Sequence, residues 1–406
     1  MLSIHSSPIG ELGKKDTGGM SVYVRELARA LGKYGHRVDI FTRLQDPSWH
    51  PLVHLSENVR LIHLQAGKAG TMSTLDLYPY LDDFVLQLEN FRVHEGLRYD
   101  LMHSHYWLSG KTGMRLQECW MVPHVFMFHT LGVLKNITVK DEHESELRIS
   151  KEKELVQNCQ RILAATERER DHLQRYYEAR PEKICVVPCG VNLDLFHPAD
   201  KMSARRQLNL PLDESIVLYV GRLAPIKGID RLLEALTYIK QAKPLRLLIV
   251  GGDGQNTRES QDLQRLSREL GIQDAVTFVG RVEHESLPSY YCAADVLVLP
   301  SHYETFGLVA LEALASGTPV VAARVGAMET ILREGKTGSV ADDGTPRLLA
   351  AGVEEFLGKS RAGSLSAAAI RESVFGFGWN HVASLIAGEY TTLLREFHYN
   401  FLEMEV

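Results

Sequence analysis

No apolar run in this 406-residue chain reaches the ~18 residues of a membrane span. Basic excess is missing too. The 45 Lys plus Arg stand against 51 Asp plus Glu, whereas a nucleic-acid binder should show a basic surplus or stripe. Cysteine is scarce: Cys119, Cys159, Cys185, Cys189 and Cys292 are odd in number and scattered. That pattern excludes a disulfide framework and argues against zinc, so all five read as buried or semi-buried thiols in a reducing cytoplasm. The opening MLSIHSSPIG has no basic region followed by a long apolar stretch. It reads as a short strand running into a loop rather than a signal peptide. Several catalytic signatures are missing: no Walker A loop, no G-x-S-x-G, no H-E-x-x-H. The cluster GGDG (251–254) lacks G-x-G-x-x-G spacing. No Asp-x-Asp follows a buried strand in the manner of a metal-held diphosphate, so neither a metal nor another cofactor is expected.

What is present is a long alternation of short β-branched runs and helical patterns. The first set of strands is expected at 37–43, 59–64, 100–105, 124–129, 161–166 and 183–188. The second set is expected at 215–221, 245–251, 275–280, 295–300 and 319–324. Near-continuous apolar strands of this length are buried on both faces, which predicts parallel sheets covered by helices. Repeated βα units predict an α/β, doubly wound, Rossmann-like architecture. The stretch 188–215 breaks the rhythm with turn residues and no strand. It divides the chain into an N-terminal domain at 1–198 and a C-terminal domain at 199–378. The amphipathic tail 379–404 is expected to pack back across the first domain.

Five segments carry candidate chemistry. DTGGMSVYVRELARALGKYGHRV sets Gly18-Gly19 at the start of a helix, where backbone N–H groups can approach an anion. Taken alone, the pair is equally a plain tight turn. YVGRLAPIKG places Arg222 and Lys227 between a strand's carboxyl end and the next helix, in the crevice where doubly wound sheets bind ligands. Cations there oppose the helix dipole, a conflict that a bound diphosphate would relieve. ETFGLVALEALASG holds Glu304 and Glu312 eight residues apart, with Phe306, Gly307 and Leu308 supplying N–H groups at a helix's first turn. Carboxylates there suit sugar and ribose hydroxyls. YDLMHSHYWLSG and HVFMFHTLGVLKN each end a strand in polar and aromatic residues: His105, Tyr106 and Trp107, then His129 and Thr130. His103 reads as core and His129 as the better site candidate. Arg148 lies in the charged helix 141–155, where residues alone favour a solvated face.

Together GGMSVYV, GRLAPIKG and the Glu-x7-Glu motif resemble the retaining family 4 glycosyltransferases of the GT-B fold, over nearly the whole chain. Within that family the first half is most similar to the D-inositol-3-phosphate glycosyltransferases, through HSSPIGELGKKDTGGMSVYV, YDLMHSHYWLSG and FHTLGVLKN. Sucrose-phosphate synthases look similar too, but carry Gln where this chain has Met20. The resemblance implies two Rossmann-like domains facing across a cleft. It also implies transfer of a hexosyl group from a UDP-sugar, with retention, to a hydroxyl of a small phosphorylated polyol or sugar.

Carried over by residue, the resemblance gives Gly19, beside Gly18, the donor phosphates, and gives Arg222 and Lys227 the diphosphate. Glu312 would bind ribose. Glu304 and the backbone of Phe306, Gly307 and Leu308 would bind the donor sugar, with His129 near the reacting carbon. Tyr106, Thr130 and Arg148 would bind the acceptor's phosphate. Two departures follow. Thr74 stands where the inositol-phosphate enzymes place a Lys, with Lys68 six residues earlier as a substitute, and Ser21 replaces Asn after GGM. A hexose-phosphate acceptor, or a non-catalytic nucleotide-sugar-binding protein, are the alternatives. Small-molecule partners, no nucleic acid and no membrane span are expected, and a homodimer is allowed.

Overall fold

The computed structural model describes residues 1–10, 17–138, 143–240, 244–252 and 257–404. The first half forms β1 (Val38–Arg43), β2 (Leu52–Ser56), β3 (Val59–Leu64), β4 (Met102–His105), β5 (His124–Met127), β6 (Arg161–Ala164) and β7 (Ile184–Val186). Leu2 bridges Phe41 on one side and Ser104 on the other. It thereby joins the order β2-β3-β1 to β4-β5-β6-β7. The second half forms β8 (Ser215–Val220), β9 (Leu245–Val250), β10 (Val276–Gly280), β11 (Val296–Leu299), β12 (Val320–Ala323) and β13 (Gly338–Ala341). Their order is β10-β9-β8-β11-β12-β13. This is the 3-2-1-4-5-6 order of a dinucleotide-type sheet, and the first half follows the same plan around Leu2.

The strands form where runs such as SIVLYV are buried at every position, with helices covering both faces. Two strands escaped the sequence reading. β2 is half-exposed and pairs antiparallel with β3, so the first sheet is not wholly parallel. Its alternating, weakly apolar pattern is what an edge strand shows when one face meets solvent. β13 is GSVA, too short and too small in side chain to stand out. Cys119 is exposed rather than buried, and the five cysteines are free thiols. The second half of GGDG falls outside the described residues, as do the first two residues of the segment 141–155.

The helix Trp379–Met404 crosses back over the first half and packs on the helix Gly19–Lys33. Trp379 sits edge-on to Tyr23 at 5.3 Å and fills the space above Gly190, whose absent Cβ would fall 2.5 Å from the indole. Further along, the Tyr390 hydroxyl meets His103 Nδ1 at 2.7 Å and Glu396 pairs with Arg161 at 2.8 Å. Among the described residues no helix is long and apolar enough to cross a membrane.

Candidate active site

In each sheet the strand order reverses beside the first strand, and there the crossover helices leave to opposite faces, opening a crevice at the carboxyl ends. The two crevices face one another and merge into one cavity of about 660 Å³. From the first half it is lined by His5, Thr17, Gly18, Gly19, Thr74, Tyr106, His129, Thr130, Lys135 and Glu144. From the second half come Gly221, Arg222, Lys227, His284, Glu304, Phe306, Gly307, Leu308 and Glu312. Residues that the sequence scatters over three hundred positions therefore meet around one volume.

Backbone conformation aims several of them. Tyr106 and His129 follow the ends of neighbouring β4 and β5 with φ of 71° and 61°. Left-handed backbone costs a non-glycine residue roughly 1–3 kcal/mol and persists only where its surroundings enforce it. Part of that enforcement crosses the cleft: Thr305 Oγ1 donates to the His129 carbonyl at 2.5 Å, and Tyr303 OH accepts from Leu131 N at 3.3 Å. On the opposite wall Gly251 has φ +123°, and a Cβ there would stand 2.1 Å from the Gly221 carbonyl. Only glycine lets these two strand ends lie so close beside Arg222.

The charged groups are mostly paired. Lys227 ends a short 3-10 turn, and its Nζ donates to Glu304 Oε1 at 2.6 Å, where Ser301 Oγ also donates at 2.9 Å. Lys227 thus has a structural partner that the helix-dipole argument did not foresee. Glu312 lies within the helix Leu308–Ala315, closer to its start than the sequence implied. Its Oε1 meets His284 Nε2 at 2.9 Å and its Oε2 accepts from Tyr291 OH at 2.7 Å. Burial pulls the His284 pKa down, but Glu312 outweighs it and the net shift is upward. Gly307 heads that helix at φ +104°, without a side-chain cap on the N–H groups that follow.

Arg148 corrects the sequence reading most. It is 1% exposed, not solvated. Ser145 caps its helix, Glu146–Asn158, by accepting from Arg148 N. The guanidinium Nε donates to Glu152 Oε1 at 2.7 Å, and one NH₂ group donates to both the carbonyl and Oγ1 of Thr130 at 2.9 Å. The plane lies over the Tyr106 ring at 4.7 Å. Glu152 is itself fully buried and accepts from Gly132 N and Tyr177 OH. Burial pulls the Arg148 pKa down, but Glu152, Tyr106 and Glu144 outweigh it and hold it above its usual range. Arg148 reaches the cavity through Tyr106 and Thr130, which line it.

Lys68 is exposed, and only its carbonyl is engaged, by Arg43. It does not line the cavity, so it does not substitute for the missing lysine; Thr74 does line it. A cation from the first half that does line the cavity is Lys135, which the sequence reading passed over, paired with Glu144. Its signal was its place in VLKN, six residues after His129 and about one turn into the helix Gly132–Thr138. His105 and Trp107 are fully buried rather than presented at the strand end. His105 Nδ1 lies 3.0 Å from His129 Nε2.

Comparison with known proteins shows the family of the chain. Residues 17–195 match the profile of Glycosyltransferase Family 4, and residues 200–372 that of Glycosyl transferases group 1. The chain is 40% identical to a D-inositol 3-phosphate glycosyltransferase of Thermobispora bispora, over 98% of this chain and 95% of that one. The protein of that name from Mycobacteroides abscessus is 39% identical, over 98% and 89%. A solved sucrose-phosphate synthase from Thermosynechococcus elongatus superposes with a TM-score of 0.89 at 35% identity, covering 97% and 98%. The Anabaena protein HepE, solved with UDP-glucose, shares the fold at 18% identity with a TM-score of 0.75, covering 94% and 98%.

Two predictions follow from burial. Removing the guanidinium leaves Glu152 charged and unmatched, so Arg148→Ala should lose about 3–5 kcal/mol of stability. A thermal midpoint like that of the parent would contradict that arrangement. Three core histidines, His103, His105 and His124, have pKa values lowered by burial, His124 to about 3. They stay neutral when folded, while the unfolded chain takes up protons below about pH 6.5. Stability should therefore fall with pH from about 6.5 toward 3, each histidine adding up to ~1.4 kcal/mol per pH unit. Denaturation midpoints that stay level from pH 7 to 4 would contradict this.

Proposed function

Since this chain belongs to the family 4, group 1 glycosyltransferases, we propose that it moves a hexosyl group from a UDP-sugar to a hydroxyl of a small phosphorylated polyol, of the inositol-phosphate type. The fold is GT-B and the protein is a glycosyltransferase acting on small molecules. One observation carries the finer reading. A single cavity is lined by Arg222 and Lys227 from the second half and by Lys135, joined to Arg148 through Glu144, from the first. A donor diphosphate and an acceptor phosphate would each need such cations.

In this reading Arg222 and Lys227 take the diphosphate, and Gly18-Gly19 lets backbone approach it. Glu312 takes the ribose. Glu304 and the N–H groups at Phe306, Gly307 and Leu308 take the donor sugar. His129 stands beside the reacting carbon, with Tyr106, Thr130, Thr74 and Arg148 around the acceptor. The bond from the anomeric carbon to the diphosphate breaks as the acceptor oxygen bonds to that carbon from the same face. The acceptor's proton passes to the departing phosphate oxygen, and the configuration is retained. Arg222 and Lys227 stabilise the charge that develops there, an electrostatic effect worth ~3 kcal/mol per donor. No metal is invoked, and the reaction runs in the cytoplasm.

Transfer to a hexose phosphate is the second reading, favoured by the 35% identity to sucrose-phosphate synthase. A panel of UDP-sugars against inositol phosphates, hexose phosphates and their unphosphorylated parents, read by UDP release and product mass, separates the two. Turnover with inositol 3-phosphate is expected, and preference for a hexose phosphate would select the second reading. Arg222→Ala or Lys227→Ala should lower kcat by roughly 10²–10³ without unfolding the protein. Near-normal turnover in both would remove the diphosphate role. Activity should survive excess chelator, and loss restored by magnesium or manganese would refute the metal-free mechanism.

A further inference from the structure

Glu144 is an odd neighbour for a phosphate subsite. It lines the cavity and lies 2.8 Å from the Arg148 NH1 group while also pairing with Lys135. Its backbone is fixed independently: Asn136 Nδ2 donates to the Glu144 carbonyl at 3.1 Å, and Glu144 N donates to Asn136 Oδ1 at 2.6 Å. The side chain can therefore swing while the chain stays in place. The contact with Arg148 is close but poorly aligned. NH1 is buried and meets the Glu144 carboxylate as an ion pair at 2.8 Å rather than in a well-directed hydrogen bond. Its sister groups are well matched, to Glu152 and Thr130. A buried guanidinium donor left without a directed acceptor points to a ligand better shaped than this carboxylate.

We propose that Glu144 occupies the seat of the acceptor's phosphate, and that a phosphorylated acceptor is recognised by displacing it from Arg148 and Lys135. This rests on the reading of a phosphorylated acceptor. Glu152 cannot perform the exchange, because it is fully buried and holds Gly132 N and Tyr177 OH. Glu144 has no such second commitment in its side chain beyond the two cations. A phosphate brings up to two charges and three acceptor oxygens, against one charge and two oxygens for the carboxylate. It can therefore engage NH1, Lys135 and the Thr130 hydroxyl together. Thr130 Oγ1 accepts from Arg148 and so keeps its own proton to donate. An unphosphorylated polyol offers nothing that displaces a carboxylate from two cations. The resident carboxylate thus serves as a specificity-determining group. It weakens every acceptor by the fraction of time the seat is filled, and only a phosphate overcomes that occupancy.

The test uses the full-length enzyme, its UDP-sugar donor, a phosphorylated acceptor and inorganic phosphate as probe. In the parent, inorganic phosphate should inhibit competitively against the acceptor rather than the donor. Glu144→Gln keeps the shape and removes the competing charge. The KM for phosphorylated acceptor and the inhibition constant for inorganic phosphate should both fall, by about five- to tenfold, as expected for releasing one charged contact. A raised acceptor KM with unchanged phosphate inhibition would show instead that Glu144 binds acceptor hydroxyls, and would overturn the proposal. Lys135→Met probes the same seat without touching the carboxylate. It should raise both constants at least about fivefold, and a variant unchanged in both overturns the proposal even if Glu144→Gln fails to fold. A parent enzyme that prefers unphosphorylated acceptors defeats the underlying reading and this inference with it. A parent that requires the phosphate, with a Glu144→Gln variant that is indifferent, defeats this inference alone.

Discussion

Two residues in left-handed backbone, Tyr106 and His129, set the geometry on which the cleft depends. A parallel sheet delivers all its carboxyl ends to one edge, but an ordinary strand end would send the next side chain away from its neighbour. The positive φ turns each chain sharply as it leaves β4 and β5. Tyr106 then faces His5 at 4.4 Å, and His129 faces His105 at 3.0 Å. Such strain needs support, and some of it comes from the other half of the molecule through Thr305. The bond that steadies His129 therefore also ties the two halves together at the site. Movement of one half away from the other would release the His129 backbone as it opens the cavity.

The same economy governs charge. The cavity brings several cations into partial burial, and an unmatched buried charge is expensive. The chain answers with a carboxylate for many of them: Glu304 for Lys227, Glu152 and Glu144 for Arg148, Glu312 beside His284. These pairings keep an empty cleft stable. They also mean that an incoming anion meets neutralised cations, so its binding must rearrange partners rather than simply add a contact. Pairs whose carboxylate has further buried bonds, such as Glu152, are fixed. Pairs at the cavity wall, such as Glu144, are the ones that exchange.

Much of the fold was legible because many of its strands are mainly apolar runs such as SIVLYV, a pattern that needs no knowledge of neighbours. β2 and β13 were not, since an edge strand has few buried positions and GSVA has side chains too small to read as an apolar run. The cleft residues near glycines and strand ends could be read from local rules. Arg148 could not. A charged helix looks solvated unless one knows that Glu152 and Thr130 wait on its inner face, and those contacts are made by folding. Only the family resemblance raised it. Lys135 was passed over although its place in VLKN after His129 was readable, and Lys68, offered as a substitute by a loop shift, is not among the residues lining the cavity.

The histidines show how burial shapes the proposed chemistry. His129 lines the cavity, and its pKa is lowered to about 3 by burial and then by the neighbouring His5. His5 is lowered to about 3 by burial and then by Arg148. Burial is the main cause for both rings, and both stay neutral in the folded protein. In glycosyl transfer, positive charge develops at the anomeric carbon and ring oxygen. An imidazolium beside that carbon would oppose it, at the short range and low dielectric of a closed cleft. A neutral imidazole, oriented by His105, can still hydrogen-bond a sugar hydroxyl without that repulsion. His103 and His105, packed beside it, are likewise kept neutral chiefly by burial. In the proposed reaction, burial of His129 therefore keeps an uncharged ring where positive charge must form.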